Sequence, residues 1–513
     1  MPVRATAMRP KNLRPMMYRS FLPWRFVGLG AVLLSLGACA SVNEGPALNV
    51  PVPAKWSNGT TGSEPYRYAE AASWWRQYRD PVLSGLIDKA LANSPTLEQA
   101  LARVDAARAL ARSEGARLLP EVDSASNVNI ERRLSGSAEG LIQDGGTLEP
   151  RPRRTVGTFQ IGFDSSYEVD LFGRVRNAIA SAQNSAAVAA EDAETARVTL
   201  IAEVVRTYVE LRAAERRRGI ITNDITARQR LIQLVQGQKT AGLAGDFDVQ
   251  RVIATGEASK ARLPTATLAI RTAQHRLATL TGQPAPDKAL VRSVSRVPIV
   301  RPPRPTFPAD LVRTRPEIRA AERNVARRAA DVGVATAELY PRLTLSGTLT
   351  IAGNVLARPL SGQLVTVAGG PALTIPLLDW GQRRAIVDAR DADLREAVAA
   401  YKGAVLSGVE EVEVSLASIR SQNARIARLQ SAVSAAFRAF ETAATLYAQG
   451  LTGLTERLTA ETEWRQAELD LAEAREAAGI AVVRLYKAIG APVVDRPVSR
   501  NPGSNLVQAS TKS

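Results

Sequence analysis

From residue 405 onward, apolar side chains return at alternating steps of four and three: Val405, Val409, Val412, Leu416, Ile419, then Ile426, Val433, Phe437, Phe440, Ala444, Tyr447 and Leu451. Asn423 and Gln430 are the polar interruptions of this seam. A period near 3.5, held over about six heptads without proline, predicts a coiled-coil helix rather than an ordinary globular one. The stretch 379–490 therefore reads as two very long helices joined by one tight turn, the first reaching roughly 100 Å at 1.5 Å per residue. An earlier seam, Ile201, Val204, Tyr208 and Leu211, becomes polar through Glu215, Arg218 and Thr222 and resumes at Ile225 and Ile232. That break predicts a bulge or a layer packed by other segments, such as the ends of the chain.

Elsewhere the period changes to two. Leu343, Leu345, Gly347, Leu349 and Ile351 alternate with Thr344, Ser346, Thr348 and Thr350, and Val365, Val367, Leu373 and Ile375 oppose Thr366 and Thr374. Val122, Val128 and Ile130 alternate with Asp123, Asn127 and Asn129, as Phe159, Ile161 and Phe163 do with Thr158, Gln160 and Asp164. Four strands follow, at about 119–133, 155–169, 341–352 and 364–376. Segments of about ten residues, apolar on one flank and polar on the other, suit membrane strands around a wet lumen, although a half-buried soluble sheet alternates in the same way. Four strands cannot close a barrel, and open edges are forbidden in lipid, so spanning strands require several chains to share one barrel. Two chains would give eight strands and three would give twelve.

The chain repeats itself. Phe172-Gly173-Arg174 returns as Trp380-Gly381-Gln382, Gly242-Leu243 as Gly450-Leu451, and Leu280-Thr281-Gly282 as Ala488-Ile489-Gly490, all at an offset of 208. Ser94-Pro95 pairs with Arg315-Pro316 and Leu119-Pro120 with Tyr340-Pro341 at an offset of 221. The expected organisation is a first repeat over 81–282, with its helical hairpin at about 170–282, a proline-rich linker at 283–306, a second repeat over 307–490, with its hairpin at about 379–490, and a polar tail over 491–513. Asp170 and Asp379 are placed to cap the long helices, with Phe172 and Trp380 beside them at an expected membrane interface.

The N-terminus adds an address. Six basic residues and no acid precede the apolar run 26–36, which is too short to span a bilayer, so residues 1–38 read as an export signal. Leu36-Gly37-Ala38-Cys39 resembles the bacterial lipobox, which makes Cys39, the chain's only cysteine, the expected site of acylation. Residues 39–80 form the anchor and its linker. Removing the signal lowers the net charge from +16 to +10. A basic balance by itself would admit nucleic acid as a partner, and the export signal argues against it.

Trp74-Trp75 followed by Asp80-Pro81-Val82-Leu83, Leu86, Ala90-Leu91, Asn93 and Pro95, together with the duplication, resembles the TolC-like outer-membrane efflux family, specifically its NodT-type lipoproteins. The resemblance implies an α+β membrane protein: a homotrimer with a shared 12-stranded β-barrel and a long periplasmic α-helical barrel. It also implies an RND-type inner-membrane pump and a periplasmic adaptor as partners, with outer-membrane lipid around the barrel. On the same basis the turns Gly242-Leu243 and Gly450-Leu451 become adaptor-contact candidates, and Asp246, Asp248 and Glu456 become candidates for a charged periplasmic aperture. The family's second ring acid falls at Thr459, a departure from the pattern.

Enzymatic chemistry is not expected. The chain has one His, His275, and one Cys, and no phosphate loop, CxxC, HExxH or GxSxG stands in the mature sequence, so neither a metal site nor a cofactor is expected. Arg132, Arg133, Arg151, Arg153 and Arg154 flank an outer loop, where guanidinium groups suit lipopolysaccharide phosphates. The expected function is a passive exit duct for pumped substrates. The alternatives are a type I protein-secretion duct and a non-conducting coiled-coil envelope lipoprotein.

Overall fold

A computed structural model describes residues 45–58, 73–132, 155–288, 290, 314–354 and 364–490. Its elements run α1 (Pro81–Asn93), α2 (Pro95–Ala116), β1 (Glu121–Arg132), β2 (Thr155–Val169), α3 (Arg174–Thr240), α4 (Asp246–Leu280), α5 (Pro316–Ala337), β3 (Arg342–Asn354), β4 (Leu364–Thr374), α6 (Gln382–Ala448) and α7 (Leu454–Ile489). The duplication is carried into the elements themselves. Helices α2 and α5 are both 22 residues long and start 221 apart, while α3 and α6 are both 67 residues long and start 208 apart. At 1.5 Å per residue each of the two long helices extends about 100 Å.

The chain forms two compact units, one holding the strands and one the helices. In the first, the strands form a single antiparallel sheet in the order β1-β2-β3-β4. Register sorts the side chains. Val128 lies opposite Phe159, Ile161 opposite Ile351 and Leu349 opposite Val367, so one face is apolar across all four strands. The other face pairs Asn127 with Gln160, Ser166 with Ser346 and Thr350 with Thr366. It also sets Asp123 directly opposite Asp164, an arrangement of like charges that is tolerable only where water screens it. Among the described residues the apolar face has no cover: Val122, Val128, Ile130, Phe163, Val365, Val367 and Leu373 are all exposed. At the foot of the sheet Phe172 stacks on Tyr340, with centroids 4.7 Å apart. Among the described residues, no helix is long and apolar enough to cross a membrane.

In the helical unit, the main core gathers Val204, Val205, Tyr208 and Leu211 of α3, Leu277 of α4, Val405 and Val412 of α6 and Leu485 and Tyr486 of α7 around Leu83 and Ile87 of α1. The polar break in the α3 seam stays open, with Arg218 and Thr222 exposed, and the segment before α1 packs beside Tyr208 and Tyr486 instead. There Trp74 stacks on Tyr486 at 4.4 Å, and Asp80 accepts the backbone N–H groups of Val82 and Leu83 with one oxygen and the Tyr208 hydroxyl with the other. The fully buried Arg212 donates to the same hydroxyl at 2.9 Å and to Glu215 at 2.8 Å, so a buried cation is both paired and hydrogen-bonded.

Several details depart from the sequence reading. Asn423 and Gln430 are exposed in the protomer, and Gln422 and Leu429 occupy the half-buried positions of its α6 seam instead. Isoleucine 419 and 426 fix one edge of the stripe, and the other edge lies one residue earlier than a count from Phe437 suggests. Phe437 is itself 37% exposed, and its ring lies 4.9 Å from that of Trp464. Residues 45–58 are irregular, yet they do not behave as a free linker. Trp56 is buried, and the Ser57 and Asn58 N–H groups donate to Glu413 at 2.6 and 2.9 Å. The start of the expected inter-repeat linker is packed as well, with Leu290 buried and Asp287 paired with Lys89. Of the two aromatics expected at an interface, Phe172 is taken up by Tyr340, whereas Trp380 is 90% exposed.

Left-handed glycines precede the long helices or close the helices. Positive φ occurs in pairs 208 apart: Gly173 and Gly381, Gly242 and Gly450, Gly282 and Gly490. At Gly282 a Cβ would collide with the Asn93 carbonyl, and at Gly490 it would lie 2.8 Å from the Arg315 backbone, so each returning helix docks on the residues that open α2 or α5. Gly490→Ala should destabilise the helical unit by at least about 1 kcal/mol, because strain and a backbone clash coincide. Gly219→Ala, exposed inside α3 with nothing within 4 Å, should stabilise it by up to about 1 kcal/mol. Chemical denaturation of the two variants would test the contrast.

Candidate functional site

The two turns between long helices present the candidate residues. Each is built by the same local rules. In the first, Leu243 N–H bonds back to Gln238 O at 2.8 Å and Gly242 N–H to Lys239 O at 3.0 Å; in the second, Leu451 N–H bonds to Leu446 O at 2.9 Å and Gly450 N–H to Tyr447 O at 3.0 Å. This is the Schellman closure, in which left-handed glycine lets the chain reverse and satisfies terminal carbonyls. In that motif the residue after the glycine ordinarily packs back on its helix. Here Leu243 is 80% exposed, Leu451 is 70% exposed and Phe247 is 73% exposed, so both turns offer apolar side chains outward.

The acids sit at the starts of the returning helices. Asp246 opens α4 and pairs with Lys239 at 2.5 Å, and that ammonium holds its carboxyl below the usual range. Asp248, the third residue of α4, reaches back to accept the Gly245 N–H at 3.2 Å, which satisfies one of the donors a helix start leaves open. Glu456 is the third residue of α7 and lies over Gly453, with no ion pair or hydrogen bond among the described residues. Asp248 and Glu456 therefore occupy one structural position in the two repeats, each at the positive end of its helix.

Behind the turns the two hairpins of the protomer are joined. Leu231, Val235, Val249, Val252, Leu454 and Leu458 form a small core of their own. Tyr447 donates to Gln238 at 2.8 Å, Arg251 donates to Thr455 at 2.5 Å, and the Arg457 guanidinium lies 5.3 Å from the centroid of the Tyr447 ring. Further along, buried charges collect between α3, α4 and α7. Asp224 accepts from Arg228 at 2.9 Å and from Ser259 at 2.6 Å, with Arg465 at 3.6 Å. Glu461, 2% exposed, completes the group, and one of its oxygens has no hydrogen bond. Burial pushes its carboxyl up, Asp224 adds to this, and Arg228, Arg457 and Arg465 oppose it.

Sequence reasoning named the turn residues but missed this group. The signal was present, because Asp224 and Arg228 fall between Ile221 and Leu231, and Glu461 follows Leu454 and Leu458, so charges occupy positions that heptad spacing turns inward. His275 lies exposed on α4. Arg132 ends β1, exposed, opposite Thr155, whereas Cys39, Arg133, Arg151, Arg153 and Arg154 lie outside the described residues. Among the described residues, no group of three His, Cys, Asp or Glu side chains could hold a metal ion.

Comparison with known proteins places this geometry in context. Residues 86–283 and 308–491 match the model of the outer membrane efflux protein family. Nodulation protein T of Rhizobium leguminosarum bv. trifolii is 28% identical over 446 residues, which cover 86% of this chain and 92% of that protein. Outer membrane protein OprJ of Pseudomonas aeruginosa is 28% identical over 469 residues, covering 90% and 95%. Among solved structures, the outer-membrane channel OprN superimposes with a TM-score of 0.77 at 31% identity, over 88% of this chain and 99% of that one. The open state of the Neisseria gonorrhoeae MtrE outer membrane channel gives a TM-score of 0.74 at 25% identity, over 88% and 98%.

A carboxyl whose pKa is raised by folding costs stability as pH climbs from its unfolded value to its folded one, because the unfolded chain releases the proton first. The melting temperature of Glu461→Gln should therefore gain on that of the parent as pH rises above about 4.3, then run level with it. A constant difference across that range would mean that Glu461 is ionised throughout.

Proposed function

Because the chain belongs to the outer membrane efflux protein family, we propose that it is the outer-membrane exit duct of a tripartite efflux system, passing substrates from an inner-membrane pump and periplasmic adaptor out of the cell. The observation that carries this reading is the sheet. Its apolar face is uncovered, its polar face sets acid against acid, and its outer strands β1 and β4 are unpaired on one side. Such a sheet meets the demands of a bilayer only when copies close it into a ring, apolar outside and wet within. Three copies give twelve strands, and the duct is a homotrimer. Eight strands from two copies would leave an interior filled by side chains. Acyl chains on Cys39 anchor each protomer to the outer membrane, and two or more chains make such attachment firm.

Transport is passive in this reading. The energy resides in the pump. OprJ and OprN are outer-membrane components, and OpmQ of Pseudomonas putida, 29% identical over 464 residues, is named for pyoverdine export. The particular cargo of this chain is set by its partners. A coiled-coil tether would have no use for the two-faced sheet. Planar-bilayer recording of the purified protein tests the reading: discrete conductance steps are expected, and a preparation that inserts but never conducts would overturn it.

Two roles are assigned at the turns. Asp248 and Glu456, repeated by threefold symmetry, form a charged collar that narrows the periplasmic aperture by mutual repulsion and solvation. Asp248→Asn combined with Glu456→Gln should raise single-channel conductance without altering the oligomer; unchanged conductance would remove the collar. Leu243 and Leu451 are the apolar knobs that seat the adaptor. Leu243→Asp with Leu451→Asp should weaken adaptor binding at least about tenfold, the effect of losing a modest apolar anchor, as read by titration of the detergent-solubilised duct. Arg132, Arg133, Arg151, Arg153 and Arg154 are assigned to lipopolysaccharide phosphates.

A further inference from the structure

Glu461 stands where packed helices ordinarily place an apolar residue. Leu454, Leu458, Glu461 and Arg465 follow one another along α7 at steps of four, three and four, and the two leucines join Leu231 and Val235 of α3 and Val249 and Val252 of α4 in one small core. Glu461 is thus the next layer of the surface that α7 lays against the first hairpin, and only 2% of it is exposed. The other repeat does without it. At the equivalent place, 208 residues earlier, stands Ile253, half-buried against the same small core.

Charge surrounds the carboxyl without pairing it. Asp224 and Arg228 act on it from α3, and Arg457 and Arg465 act on it from α7 itself. Helix α4 contributes the uncharged Ser259, whose hydroxyl donates to Asp224. Helix α6 contributes Phe437 and Phe440, packed on Trp464, while its Arg425 lies 4.0 Å from Glu473, further along α7. Each guanidinium is engaged elsewhere: Arg228 with Asp224, Arg465 with Glu468 at 2.9 Å, and Arg457 over the Tyr447 ring. One oxygen of Glu461 is left without a hydrogen bond, and so are one oxygen of Asp224 and one nitrogen on each of Arg228, Arg457 and Arg465. An ionised carboxylate buried in this way gives up its hydration and receives no hydrogen bond in return, whereas a neutral carboxyl gives up far less.

We propose that Glu461 is a proton-operated joint between the two hairpins of the protomer: protonated, it lets this layer of α7 lie against α3 and α4, and ionised, it drives the layer apart until water or a guanidinium reaches the carboxylate. The direction follows from linkage. Burial pushes the carboxyl up, Asp224 adds to this and the three arginines oppose it, so the packed arrangement holds the proton more tightly than a loosened one in which the carboxyl is wet. Packing is therefore favoured in acid and is given up as pH rises through the packed-state value. The joint lies inside one protomer and does not depend on conduction, so labelling rather than channel recording tests it.

Val252 is fully buried in the small core that α7 helps to close, and Val252→Cys supplies a thiol that reacts with a neutral alkylating reagent only when that core opens. Thr222→Cys, exposed on α3, corrects for the ordinary increase in thiolate with pH, and mass spectrometry of the separate peptides keeps both readings apart from Cys39. In the full-length protein the corrected rate at residue 252 should climb at least about threefold between about pH 4 and about pH 8, a size that linkage allows for a modest difference in proton affinity. Glu461→Gln, which keeps the shape and cannot ionise, should hold the rate at its acid value throughout. Glu461→Ile, which copies the other repeat, should do the same. A flat rate with Glu461 in place, or an equal climb in the two neutral variants, would overturn the joint and leave the reading of the chain as an exit duct untouched.

Discussion

An antiparallel sheet whose apolar face meets hydrocarbon has to satisfy every backbone N–H and C=O within protein, since lipid offers no partner and each orphan costs several kcal/mol. Four strands in a row violate that rule at both edges, so the protomer is an incomplete object by construction. Much else follows from this debt. The strands come as hairpins of fixed register, their faces alternate without slippage, and the helices continue from their ends at Gly173 and Gly381, two left-handed residues in equivalent places.

Repetition is the economy by which one sequence solves the problem twice. Equal helix lengths, equal stops and equal hairpin registers mean that the second half reproduces the first in geometry, while its side chains have diverged. Divergence is concentrated where the halves face different neighbours. Phe172 finds Tyr340, whereas Trp380 is exposed; Asp246 has Lys239, and its counterpart in the second turn is Leu454. Sameness sets the frame, and difference sets what each half touches.

Much of this was legible in the sequence, for physical reasons. Period two and period 3.5 are imposed by backbone geometry, and glycine at a helix end is imposed by left-handed φ, so the elements and the turns could be read directly. The packing between distant elements was not. Nothing local announces that Tyr208 bonds Asp80, or that Glu413 receives the backbone of Ser57 and Asn58, since these contacts depend on how helices are laid side by side. The phase of the α6 seam was misread at Asn423 and Gln430 because two apolar stripes one residue apart fit the same heptad until the opposing helix selects one. The Asp224 and Glu461 group was overlooked because charges on a long helix are ordinarily solvated.

The strap formed by residues 45–58 carries a mechanical implication. Gly45 rests against Ala329, and Trp56 is buried further on. Only five residues separate Gly45 from Cys39, a span of about 20 Å when fully drawn out. An acylated Cys39 would thus act as a short mooring line, holding the strap and the face of α5 it covers within that reach of the lipid anchor.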